Sequence, residues 1–131
     1  MRIDVEVEKV AGDDDNDFGV ICRYQDADNF YAFKISSDGY FGIFKRVNWA
    51  DFELISADFM QYSEDINQGY LRNHLTIECV GTRLSLFIKG QLSEEVYDDE
   101  FQSGDVGLMA GPYGIPGTQI KFDDFEVFDP R

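Results

Sequence analysis

Apolar and polar residues alternate from the third position of the chain. In Ile3-Asp4-Val5-Glu6-Val7-Glu8 the aliphatic residues take one face and the acids the other, as a half-buried strand requires. Gly12 and the acidic run Asp13 to Asp15 predict a turn, and strands follow over 18–24 and 29–36. Asp38-Gly39, flanked by FYAFKIS and YFGIFKR, predicts a two-residue hairpin. Residues 47–70 are less regular: 51–55 reads as a short strand, and 57–70 as a loop or one helical turn. Regularity returns over 71–80, turns at Gly81-Thr82 into 83–89, and turns again at Gly90-Gln91 into 92–97. A glycine-flanked strand over 104–110 and a turn-rich loop, GPYGIPGT, precede a last strand over 119–128. Helical periodicity of ordinary length is absent. Short strands at roughly ten-residue spacing predict an all-β, antiparallel jelly-roll sandwich of two sheets, with residues 1–131 as one domain.

Composition agrees with that pattern. Hydrophobic residues make up 44% of 131, enough for a packed core, and twelve Phe and seven Tyr against three Met favour a sheet protein. No apolar run approaches the ~20 residues of a spanning helix. Twenty-six acidic against eleven basic residues give a net charge of −15. Such a surface repels phosphate backbones and anionic lipids, so nucleic acid and membrane are not the expected partners, whereas neutral or cationic ligands are. Cys22 and Cys79 each fall in an alternating run, GVICRY and LTIECV. Two buried thiols are the expectation, with a bridge between neighbouring strands or sheets as the alternative, which would imply an oxidising compartment. The N-terminal MRIDVEVEKV carries no signal-peptide core.

Four ordered runs resemble the concanavalin A-like lectin/glucanase superfamily, nearest to its LamG-like and 3-keto-disaccharide-hydrolase-like domains. They are DFGVICRYQDADNFYAFKISSDGYFGIFK, NHLTIECVGTRLSLFIKGQL, GDVGLMAGPYG and IKFDDFEVF. The resemblance implies an extracellular or cell-surface bacterial parent. Complete members carry a further strand and hairpin ahead of the segment matching DVEVEKV, so the resemblance also implies missing N-terminal strands and a homo-oligomer formed through an exposed sheet edge. A structural calcium is implied too, with Asp123 of Phe122-Asp123-Asp124-Phe125 as its ligand.

Chemistry is sparse. Glucanases of this superfamily carry carboxylates spaced by two on one strand face. Asp4, Glu6 and Glu8 have that spacing, but with an aliphatic opposite face they read as a solvent-facing surface, and the acids of 94–100 read as a strand end. His74, the single histidine, stands five positions before Cys79, an odd offset that puts them on opposite faces of one strand. The run Asp13 to Asp17 lacks the glycine and distal glutamate of an EF-hand loop, and GPYGIPG lacks the lysine of a phosphate loop. The chain is therefore not expected to be an enzyme by itself, with a glycoside-hydrolase-like domain and a ligand-free scaffold as alternatives.

Binding is the favoured reading. Glycan sites set aromatic faces against sugar rings and use amide, carboxylate and guanidinium groups for hydroxyls. The predicted hairpin, the strand before it and the segment after it hold the candidates: Tyr31, Tyr40 and Trp49 as platforms, Arg23, Asn29 and Asn48 as polar contacts. Along Asn29-Phe30-Tyr31-Ala32-Phe33, tyrosine is expected to face solvent because its hydroxyl wants a partner. The expectation is a non-catalytic module that binds a neutral glycan through an aromatic sheet face.

Overall fold

The computed structural model describes residues 1–12, 16–48, 50–69, 71–112 and 119–128. Eleven strands follow in order: β1 (Arg2–Ala11), β2 (Asn16–Asp26), β3 (Asn29–Ile35), β4 (Tyr40–Arg46), β5 (Glu53–Leu54), β6 (Gln61–Tyr62), β7 (Arg72–Val80), β8 (Arg83–Ile88), β9 (Gln91–Tyr97), β10 (Asp105–Pro112) and β11 (Gln119–Phe128). They form a five-stranded sheet in the order β11-β1-β7-β8-β9 and a six-stranded sheet in the order β10-β2-β3-β4-β5, with β6 also pairing β4. Every pairing is antiparallel. The architecture is an all-β sandwich of jelly-roll type, as the alternation predicts.

One face of each sheet is the core. Ile3, Val5 and Val7 of β1, Leu75 and Ile77 of β7, and Leu84, Leu86 and Ile88 of β8 meet Phe18 and Val20 of β2, Tyr31, Phe33 and Ile35 of β3, and Ile43 of β4. Each is almost wholly removed from water, and this burial is the main force closing the sandwich. Cys22 and Cys79 are disulfide-bonded, joining β2 to β7 across the core, so the alternative reading of the cysteines holds and the expected free thiols do not.

The turns set the register of the strands they join. At the β3–β4 hairpin the Gly39 N–H donates to Ser36 C=O and the Ser36 N–H to Tyr40 C=O. The loop is thus one residue longer than the two-residue hairpin expected, with Gly39 at φ +99°, where a side chain would be strained. At the β8–β9 hairpin Lys89 and Gly90 both take positive φ, so the turn begins one residue earlier than expected. Within 47–70, β5 falls inside the short strand expected over 51–55, and the two-residue β6 falls in the segment expected as a loop or helical turn; both are held by pairing to β4.

Candidate functional site

The side of β3 that faces the core decides where a ligand can sit. Tyr31, Phe33 and Ile35 point between the sheets, and Phe30, Ala32 and Lys34 point outward. Tyr31 is 0% exposed and offers no ring face to a ligand, which corrects its assignment as a platform. Its hydroxyl finds partners inside instead, donating to Asp98 Oδ1 at 2.5 Å and accepting the Phe101 N–H at 3.1 Å. Burial, reinforced by the bond to Asp98, pushes the Tyr31 hydroxyl well above its ordinary range.

Arg23 is likewise structural. It stands at an irregularity of β2 with φ +54°, and its guanidinium donates to Gly81 C=O and Phe101 C=O at 2.5 and 3.0 Å. Those bonds tie the β7–β8 turn and the segment after β9 to the other sheet, so they hold the fold rather than a ligand. Tyr40 is 41% exposed and packs edge-on against Tyr62 at 5.7 Å. It opens β4, whereas Asn48 lies two residues past its end, so the two are roughly 20 Å apart or more. Trp49 lies outside the described residues. Among the described residues, Tyr31 and Tyr40 therefore do not form one surface.

Asn48 does belong to a built corner. The Asp26 carboxylate accepts the Asp28 N–H at 2.8 Å and the Asn29 side-chain amide at 2.9 Å, and Asn29 Oδ1 accepts the Asn48 N–H at 3.0 Å. This locks the β2–β3 turn to the chain leaving β4. The floor beside it, on the outer face of the six-stranded sheet, is aromatic. Phe30 meets Tyr24 at 5.7 Å and Phe52 at 5.6 Å, and Phe52 meets Phe44 at 6.2 Å. Lys34, 1% exposed, holds its ammonium 3.6 Å from the centre of the Phe52 ring and 3.4 Å from Asp17. Burial draws that ammonium below its ordinary range, with Asp17 opposing the shift.

Arg46 projects over this floor. Register pairs it with Phe30, so both stand on the outer face. Its guanidinium lies 5.8 Å from the Phe52 ring and 3.6 Å from Asp28 Oδ1. Its Nε is buried and lacks a hydrogen-bond partner among the described residues. A buried donor left without an acceptor is uncommon and calls for an explanation. The corner thus gathers a guanidinium, a carboxylate, two side-chain amides and the partly exposed Tyr24 and Phe52, the groups that hold sugar hydroxyls and ring faces. The sequence reading passed over Arg46, Asp28 and Phe52. A signal was present, since Lys34 and Arg46 share strand parity with Phe30, which marks that side of the hairpin as the outer one.

Asp123 is held by cations, with Arg72 at 3.5 Å and Lys121 at 3.4 Å. Among the described residues no group of three or more His, Cys, Asp or Glu side chains could hold a metal ion. One carboxylate already neutralised by two cations does not fit calcium, which takes six to eight oxygens. The acids of β1 face outward as expected and are tied to neighbours: Asp4 to Arg2, Glu6 to His74 and Glu8 to Arg72.

No protein-family model matches the chain, and no curated protein matches it in sequence. Solved structures do resemble it in fold. The carbohydrate-binding module CBM66 from Bacillus subtilis superposes with a TM-score of 0.75 at 20% identity, covering 95% of this chain and 71% of that one. Sheep galectin-11 in complex with glycerol gives 0.54 at 9% identity, over 92% and 87% of the two chains. The homodimeric agglutinin CG-16 from chicken liver gives 0.51 at 13% identity, over 93% and 90%. At such identities the likeness is one of fold: the jelly-roll sandwich shared by these lectins and the binding module.

Proposed function

We propose that the chain is a non-catalytic carbohydrate-binding module that holds a neutral glycan at the corner formed by Asp28, Asn29, Arg46, Asn48 and Phe52. The observation that carries this reading is Arg46. Its guanidinium, one third exposed, is set above an aromatic floor and opposite a carboxylate. A sugar hydroxyl would accept from the exposed edge of the guanidinium and donate to Asp28, while a ring face rests on Phe52 or Tyr24. The net charge of −15 favours an uncharged ligand over an anionic one. Structural likeness to a protein named as a carbohydrate-binding module and to two lectins gives general support.

Calorimetric titration with glycans chosen from an array tests the site. Arg46→Ala and Phe52→Ala should each weaken binding at least tenfold, about 1.4 kcal/mol. Tyr40→Ala, at the far end of β4, should change nothing. Wild-type affinity in both corner variants would end the proposal.

An extracellular or cell-surface location accompanies this reading. The Cys22–Cys79 bridge supports it, because disulfides persist in oxidising compartments. Association of copies through a sheet edge also belongs to it, since β9 and β11 bound the five-stranded sheet and CG-16 is described as homodimeric. Light scattering across a concentration series tests that part, and a monomer throughout would rule it out.

A further inference from the structure

The outer face of the five-stranded sheet carries a groove on the opposite side of the molecule from the Arg46 corner. Register lines up Phe128, Arg2, Glu78 and Ser85 in one row across β11, β1, β7 and β8, and Glu126, Asp4, Thr76 and Phe87 in the next. Two adjoining depressions lie along these rows. One, of about 220 Å³, is lined by Arg2, Thr76, Glu78, Phe87 and Gly90. The other, of about 380 Å³, is lined by Arg2, Asp4, Glu78 and Phe128. They share Arg2 and Glu78, so together they make one trough running perpendicular to the strands.

The trough has an aromatic ring at each end and polar groups between. Phe87 on β8 and Phe128 on β11 are three strand spacings apart, roughly 14 Å, the span of a short oligosaccharide rather than of one sugar ring. Phe128 is 45% exposed, and Leu92, paired with Phe87, is 55% exposed on the same face. In the middle, the Arg2 guanidinium sits 3.2 Å from Asp4 Oδ2 and 5.9 Å from the Phe128 ring. Asp4 is itself fixed by Thr76, whose hydroxyl donates to Oδ1 at 2.5 Å, and by His74 Nε2 at 3.3 Å. Glu78 is steadied by Arg83 at 3.5 Å. Donors and acceptors held in place by neighbours, between two ring faces, suit a hydroxyl-rich chain. The carboxylates Asp4, Glu78 and Glu126 along the rows disfavour an anionic one.

We infer that this trough is a second carbohydrate site, which takes a short stretch of an unbranched neutral oligosaccharide laid across the strands. The inference rests on the carbohydrate reading of the module and adds a second binding face to it. Amide NMR titration of the whole chain tests it, using cellopentaose, laminaripentaose, xylopentaose and maltopentaose, each beside its monosaccharide. At least one pentasaccharide should shift the amides of Arg2, Thr76, Glu78, Phe87 and Phe128, with the monosaccharide at least tenfold weaker. Phe87→Ala and Arg2→Gln should abolish those shifts and leave shifts around Arg46 intact, while Arg46→Ala does the reverse. An unchanged thermal melt shows that each variant is folded. Shifts confined to the Arg46 corner, or trough shifts that survive both trough variants, overturn this inference and leave the first site standing. Silence on both faces overturns both readings, and shifts in the trough alone overturn the corner.

Discussion

Tyr31 shows how a single hydroxyl can mislead. A tyrosine in an alternating strand is assigned to solvent because a buried hydroxyl without a partner is costly, yet Asp98 and the Phe101 N–H supply partners from the far side of the core. Those partners lie about 70 residues downstream, and nothing local announces them. Lys45 completes the group with a 3.0 Å bond to Asp98 Oδ2. Tyr31→Phe should therefore cost about 1–3 kcal/mol by urea unfolding, since it leaves a partly buried carboxylate and a buried N–H without their partner. The pH dependence has a definite sign. Burial alone would raise the Asp98 carboxyl, but hydrogen bonds from Tyr31, the Glu100 amide and Lys45 overcome it and hold the group below its ordinary range. Its contribution is full above the unfolded value of 3.8 and is lost as pH falls below it. Tyr31 and Lys45 are both raised, so their contributions are full below 10.0 and 10.5 and are lost as pH rises beyond. Asp98→Asn should lower the urea midpoint at neutral pH and flatten both limbs of its pH profile.

At the scale of elements, the long strands were legible, and of the two short ones only β5 was. Strands such as β1 and β7 declare themselves because alternation repeats over nine or more residues. β5 and β6 have two residues each and exist only because β4 offers an edge. The expected strand over 51–55 contains β5, whereas no local pattern marks β6. The same limit hid the candidate corner: Asp28, Arg46 and Phe52 come from a turn, a strand end and an irregular segment, and only packing unites them. Pairing also sets demands on single positions. A Cβ on Gly19 would run into the backbone of Phe33 and Lys34, where β2 and β3 pair closely. Gly19→Ala should thus cost about 3 kcal/mol or more, read as a lowered urea midpoint, while Gly69→Ala, with open space around it, should be limited to the strain of its positive φ. Equal effects from the two changes would contradict this account of the β2–β3 contact.

The whole molecule was read well as architecture, but which side of β3 faces the core was not. Fold class follows from strand spacing and aromatic content, which are global properties, whereas the faces of the sandwich are decided by partners distant in sequence. The cysteines illustrate the difference. Each was placed on a strand, but that β2 and β7 stack across the core, bringing Cys22 to Cys79, is tertiary information. On the chain-entropy view, closing a loop with a separation of 57 stabilises the fold by about 4 kcal/mol. Reduction should lower the melting temperature by many degrees while leaving the far-ultraviolet spectrum that of a sheet protein below the transition.

The pairing of Arg2 with Phe128 brings the start of β1 beside the end of β11. In mechanical language, a pull on the two ends loads those strands as a zipper, opening one rung at a time, rather than in shear. First rupture should need little force in an optical trap. The covalent link between β2 and β7 then acts as a hard stop, because the chain between Cys22 and Cys79 cannot lengthen. Adding reductant should release about 200 Å of further contour length from that separation of 57. The fold would thus yield early at its rim and keep its centre.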